Sequence, residues 1–236
     1  MIQQQFKYTL LLSSLPVQPV ELFSTKILPI SRIQLDKRLL LLDTEDSADL
    51  VRIEELLHWS KMHEWDDFNI ISHGQEAMAL IRSDFLRSLV QWRLELRTLL
   101  TVLRRRHAGQ ELPADQQFYG FCDRLRLSFI RRNWHKPDFG LGLSIPWLKP
   151  AQQLIAEDKT LELDKLMLTL NWNHYARLSL GHTFDFPAVV LYVLRWYLIN
   201  RWVSYDSDRA LLRFNELICA EMANVSLECE GSHERT

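Results

Sequence analysis

The segment that most constrains this chain is FPAVVLYVLRWYLINRW, Phe186 to Trp202. It is apolar on nearly every side of a helix, so it is stable only when surrounded by protein. Arg195, Asn200 and Arg201 interrupt it before the roughly 20 apolar residues that a membrane span requires, which makes it a core helix. Two short punctuated corners, Gly181–Asp185 and Tyr205–Asp208, join it to helical patterns over Leu161–Leu180 and Asp208–Met222. Thr160–Met222 therefore reads as a three-helix unit, with amphipathic outer helices around the middle one. Trp172, Phe186, Val190, Tyr197 and Trp202 are its expected core residues.

The rest of the chain points to the same class. Seven Gly and eight Pro in 236 residues are too few for the many turns of an all-β sandwich, and abundant Leu, Arg, Glu and Gln favour helix. The expected fold is all-α: a helical bundle with a long antiparallel hairpin and a C-terminal three-helix unit. Cys122, Cys219 and Cys229 show no paired spacing, so a reducing cytosol is the expected compartment. The opening MIQQQFKYTLLLSSLP has only a brief apolar run, too short for a secretory signal.

Along the chain, residues 6–15 fit either a short helix or a strand. Ser31 caps a short helix through Leu35 and Leu39. The acidic cluster from Asp43 to Ser47 opens another through Leu50, Ile53 and Leu56, with Thr44 or Ser47 as its cap. A loop is expected over Glu64–Gly74. From near Gln75 to Gly109 runs the longest helix, with Phe85, Leu89, Trp92, Leu96, Leu99 and Leu103 in a heptad-like stripe. Its bland reading, the inner face of an intramolecular hairpin, outweighs a coiled-coil partner site. The second arm is expected over Asp115–Asn133, after a connection short enough to make the arms neighbours. The organisation is then an N-terminal helical region 1–133 (hairpin 75–133), a Gly/Pro-rich connection 134–149, a C-terminal helical unit 150–224 and a tail 225–236.

Catalytic patterns fail on inspection. Asp138-Phe139-Gly140 spells a kinase tripeptide, but no catalytic loop, Gly-rich loop or strand lysine accompanies it. No phosphate-binding P-loop is present. His58 and His63 are five apart and face different sides of a helix, and His174 and His182 lack a ligand cluster. No cofactor, metal or small-molecule substrate is expected. Charge is the informative polar feature. Lys and Arg number 7 against 12 Asp and Glu over residues 1–80, 13 against 6 over 81–149, and 8 against 12 over 150–236. Arg104, Arg105 and Arg106, with Arg124, Arg126, Arg131 and Arg132 of the second arm, are the candidate partner-binding residues, because guanidinium forks suit carboxylates and phosphates alike. Dipole complementation and solvation is the bland alternative. An acidic protein surface is the preferred partner, and a nucleic acid the alternative, since the chain is acidic overall with a net charge of −2.

The stretch LELDKLMLTLNWNHYARLSLGHTFDFPAVVLYVLRWYLINRW resembles the DUF2764 family of V-type ATPase operon-associated proteins. The resemblance rests on Leu161, Glu162, Trp172, Phe184, Asp185, Val190, Tyr192, Leu194, Arg201 and Trp202, and on the opening YTLLLSSLP, Tyr8–Pro16. Arg195-Trp196 and the Glu64–Gly74 segment depart from the family pattern. Such proteins look like reduced relatives of the all-α C (d-type) subunit of V/A-type ATPases. The resemblance implies a non-catalytic adaptor that links rotor shaft to membrane ring. It would be cytoplasmic and peripheral to the inner membrane through its partner subunits, and would touch the membrane only indirectly.

Overall fold

The computed structural model describes residues 2–57, 67–110 and 120–205. Every regular element among them is helical: α1 Ile2–Ser13, α2 Arg32–Leu39, α3 Thr44–Leu57, α4 Asp67–Ala79, α5 Asp84–His107, α6 Arg124–Arg132, α7 Leu148–Ala156 and α8 Thr160–Ser179, with a one-turn 3-10 helix at Leu22–Ser24. A ninth helix, α9, covers residues 186–205. The fold is all-α, as the composition predicts, and residues 6–13 are helix rather than strand. The helical pattern at Asp208–Met222, the tail, Cys219, Cys229, His58 and His63 lie outside the described residues.

The helices begin where side chains cap them. Ser31 accepts a hydrogen bond from the Gln34 amide, Ser83 from Leu86 and Asp123 from Arg126, satisfying amide donors that have no partner within the helix. α9 is capped by Asp185, which accepts from the Ala188 amide at 3.0 Å. At α3 the cap is Asp43, which accepts from the Asp46 amide, and neither Thr44 nor Ser47 fills that role. Gly109 follows α5 with φ +70°, the left-handed conformation that favours glycine after a helix.

Two boundaries differ from the periodicity. Residues 67–74 belong to α4 instead of a loop. The long helix expected from Gln75 is split at Leu80–Ser83, where Ser83 caps α5 and Arg82 turns toward α3 carboxylates. The second arm is also shorter than expected: residues 120–123 are not helical, and α6 starts only after Asp123. Its contacts advance along α5, from Gln91 to the Phe121 carbonyl, through Glu95 to Arg126, to Arg106 and the Lys136 carbonyl.

α9 sits between two apolar clusters, which accounts for its apolar circumference. Phe186, Val190 and Leu194 pack with Leu50, Ile53, Leu86, Val90 and Trp172. Val189 and Trp196 meet Leu11, Ile30 and Leu35. Tyr197 and Trp202 are half-buried at the margin of the first cluster, Trp202 edge-on to Phe23 with ring centroids 4.8 Å apart. A third cluster joins Leu96, Leu99 and Leu103 of α5 to Ile130, Phe139, Leu148 and Leu163. The heptad-like stripe of α5 is thus spent within the chain.

Candidate interaction surface

α5 carries the features that bear on binding. Arg97, Thr101 and Arg105 recur every four residues and so lie along one face of the helix. They border a groove of about 220 Å³ whose floor is apolar, with Ile70 and Ile71 of α4, Val102 and Phe121 among its lining. One wall is the backbone at Gly120–Phe121, clamped to α5. The Thr98 hydroxyl accepts the Phe121 amide at 3.1 Å and donates to the Leu94 carbonyl at 3.0 Å, and the Gln91 amide group donates to the Phe121 carbonyl. The close approach depends on Gly120, where a Cβ would stand 2.5 Å from Thr98 Cγ2.

The arginines singled out from sequence fall into distinct environments. Arg104, Arg124 and Arg132 are exposed, Arg131 is half-buried on α6, and Arg105 is half-buried at the groove. Arg106 turns inward: it donates to the Lys136 carbonyl and lies 5.3 Å from the Phe139 ring centroid, and burial holds its pKa below the usual arginine value. Arg126 is paired with Glu95 at 2.6 Å. Sequence reasoning passed over Arg93 and Arg97, polar positions interleaved with the stripe. Burial, then Arg93 and Arg201, draw Arg97 down to about 10, and burial with Arg201 also lowers Arg93. Their four-residue spacing was the available signal.

The other polar features have structural partners. Asp46 and Asp49, buried on α3, meet Arg82, with Lys7 and Tyr8 of α1 also on Asp46 and Arg52 on Asp49. This network ties α1, α3 and the start of α5, and every acid in it faces a cation. His174 stacks on Trp92 with centroids 3.6 Å apart, and His182 Nδ1 lies 2.6 Å from Asp185. Cys122 is buried, and burial followed by Glu95 pushes its thiol up to about 12, so the reactive thiolate is suppressed. Asp138-Phe139-Gly140 is a turn: Asp138 accepts the Gly140 amide at 2.9 Å, and Phe139, at φ +52°, is fully buried.

These observations define an all-helical protein with an arginine-bordered apolar groove. Among the described residues no group of three His, Cys, Asp or Glu side chains could hold a metal ion, and no helix is long and apolar enough to cross a membrane. The chain belongs to the family described as "Protein of unknown function (DUF2764)", which matches residues 52–224. The match takes in α8 and α9, where the resemblance is densest, whereas Tyr8–Pro16 lies outside it. Comparison with curated proteins and with solved structures returned no match.

Proposed function

We propose that this protein is a non-catalytic adaptor of a V/A-type rotary ATPase. It would join the rotor shaft to the membrane ring by protein–protein contacts, in the cytoplasm and against the inner membrane only through those partners. The motif order from Leu161 to Trp202 motivates the assignment to this class of assembly. The structural observation that supports an adaptor is the groove on α5, with Ile70, Ile71, Val102 and Phe121 among its lining and Arg104 exposed on the same helix. Arginine is enriched at protein interfaces because its planar fork pairs with carboxylates while its stem covers apolar surface. An amphipathic acidic segment of a partner subunit matches that combination. Nucleic acid, the alternative partner, fits a groove with an apolar floor less well.

The test is purification of the tagged full-length chain from native membranes. Co-purification of rotary ATPase subunits, reduced by Arg104→Glu with the fold intact, is the expected result. An ATPase isolated without this chain, with ion pumping and ATP hydrolysis still coupled after its deletion, overturns the proposal. Retention of nucleic acid that is lost steeply with salt, in place of those subunits, favours the alternative.

A further inference from the structure

The outer face of α6 and the turn that follows it have no role in the adaptor reading. From Arg124 to Lys149 the chain carries six Lys and Arg against one acid, Asp138. One side of α6 is used inside the protein: Ile130 is buried with Phe139 and Leu148, and Arg126 pairs with Glu95. The other side carries Arg124, Leu125, Ser128, Phe129 and Arg132, all exposed and all within one arc of the helix. Leu125 is 84 % exposed and Phe129 42 %. The following turn meets this face through glycine: a Cβ at Gly140 would stand 3.5 Å from the Phe129 ring and 3.7 Å from Lys136 Cδ. At Gly142 a Cβ would meet Lys149 Cε at 2.8 Å, so the Lys149 stem lies along the same turn. The Ser144 and Ile145 amides donate to the Leu141 carbonyl at 3.0 and 2.8 Å, and this closed turn holds Leu143 at its tip, wholly exposed. Among the described residues, Arg124, Arg132, Lys136 and Lys149 have no carboxylate partner. The two carboxylates of this region are engaged: Asp123 caps α6, and Asp138 accepts the Gly140 amide.

We infer that Leu125, Phe129 and Leu143, with these four cations, dock directly on an anionic lipid surface. Charge complementarity selects the occupant, because anionic headgroups supply the negative charge that the face lacks. Long Lys and Arg stems let the cations stay at the phosphates while the apolar side chains enter the acyl boundary. A leucine wholly exposed at a turn tip has no walls around it to receive a protein side chain, whereas fluid acyl chains close around it without a matching shape. A contact of this size is weak and reversible. It goes beyond the adaptor reading, which reaches the membrane only through partner subunits, and does not rest on it.

The experiment sediments the untagged full-length chain with vesicles of phosphatidylcholine, alone or mixed with phosphatidylglycerol, at low and at physiological ionic strength. Binding to the mixed vesicles only, falling as salt rises, is expected. Arg124→Gln combined with Arg132→Gln should lower the partition coefficient roughly 30-fold, about fivefold for each cation. Leu143→Ser should lower it roughly tenfold by removing apolar burial, with the salt dependence unchanged. These changes fall on exposed side chains, so the urea midpoints should match wild type. Lys26→Gln and Ile27→Ser, at an exposed cation and an exposed apolar side chain ahead of α2, should bind as wild type does. Equal binding to both kinds of vesicle, or mixed-vesicle binding that survives the α6 and Leu143 changes, overturns the inference. No binding at low salt also overturns it; loss of an ATPase subunit from the native-membrane purification on Leu143→Ser would then assign the face to an acidic protein and leave the adaptor reading standing. Vesicle binding that follows these variants, with no ATPase subunit co-purified, supports the lipid site and removes the adaptor.

Discussion

The indole N–H of Trp196 donates to the Ile30 carbonyl at 2.7 Å, joining α9 to a segment far earlier in the chain. Between α1 and α2 the chain has little regular structure to satisfy its carbonyls, and side chains of α8 and α9 do so instead. Tyr192 donates to Pro16, Arg195 to Pro19 and Trp172 to Val20. The guanidinium of Arg195 also lies 4.2 Å from the Trp172 ring centroid, binding α8 to α9 beneath the same segment. The aromatic and basic residues of the apolar helix are therefore its fasteners.

Trp196→Phe tests this role because it keeps an aromatic ring and removes the donor. The Ile30 carbonyl would be left buried and unsatisfied, at a cost of about 1–3 kcal/mol. Urea denaturation should show a lower midpoint with an unchanged slope. A midpoint equal to wild type would mean that water replaces the indole and that the bond contributes nothing.

Arg82 makes a second prediction, one of asymmetry. Its side chain is half-exposed, but it pairs at 2.9 Å with Asp46 and with Asp49, which are nearly inaccessible. Arg82→Ala takes one charged hydrogen bond from each buried carboxylate, leaving Lys7 on Asp46 and Arg52 on Asp49, and should cost about 2–4 kcal/mol, whereas truncating Arg87, an exposed partner of Asp84, should cost under about 1 kcal/mol. Arg82→Lys should recover little, since a point charge cannot fork across two carboxylates. Equal losses for the Arg82 and Arg87 variants would remove the network from the account of stability.

His174 gives the pH dependence. Arg177 can only donate, so its 3.0 Å contact with His174 Nδ1 makes that nitrogen an acceptor and the ring neutral. Burial, and then Arg177, lower the pKa from 6.5 to about 4. Between those values the unfolded chain binds the proton that the folded chain refuses, so stability is present above pH 6.5 and is lost as pH falls toward 4. The ring is partly open to solvent, so the loss should be about 1–2 kcal/mol after screening. His174→Phe, which retains the stack on Trp92, should lose less stability across that window. Parallel stability curves for the two proteins would exclude this titration as a cause.

Much of this architecture is legible in the residues. The apolar circumference of Phe186–Trp202 specified a central helix, and Trp172, Phe186 and Val190 are indeed buried. Ser31 and Gly109 announced helix ends by capping chemistry alone. Where the structure departs from the pattern there is one physical cause: a helical period in the residues continues past side chains that interrupt the helix. Ser83 sits between two helical patterns and caps the second, and Asp123 caps α6 in the same way. At residues 67–74 the opposite happened, since polar Asn69, Ser72 and His73 concealed a helix whose inner face is Ile70 and Ile71. The candidate binding surface was legible only as a basic region. Which arginines turn inward depends on tertiary contacts: Arg106 meets Phe139, and Arg126 pairs with Glu95.

Gly120 and Thr98 supply a last prediction, at the wall of the groove. A methyl group at position 120 would stand 2.5 Å from Thr98 Cγ2, inside any van der Waals contact. The Thr98 hydroxyl cannot simply move away, because it holds both the Phe121 amide and the Leu94 carbonyl. Gly120→Ala should therefore cost about 1–3 kcal/mol by overpacking. Thr98→Ser removes the offending methyl and keeps the hydroxyl, so adding it to Gly120→Ala should restore most of that loss. The two changes would then be non-additive, with a favourable coupling of about 0.5–3 kcal/mol, as contacting residues show. A double-mutant cycle by urea denaturation reads this directly. Strict additivity would mean that the wall at Gly120 yields without displacing α5, and that the groove is not held in one shape by this contact.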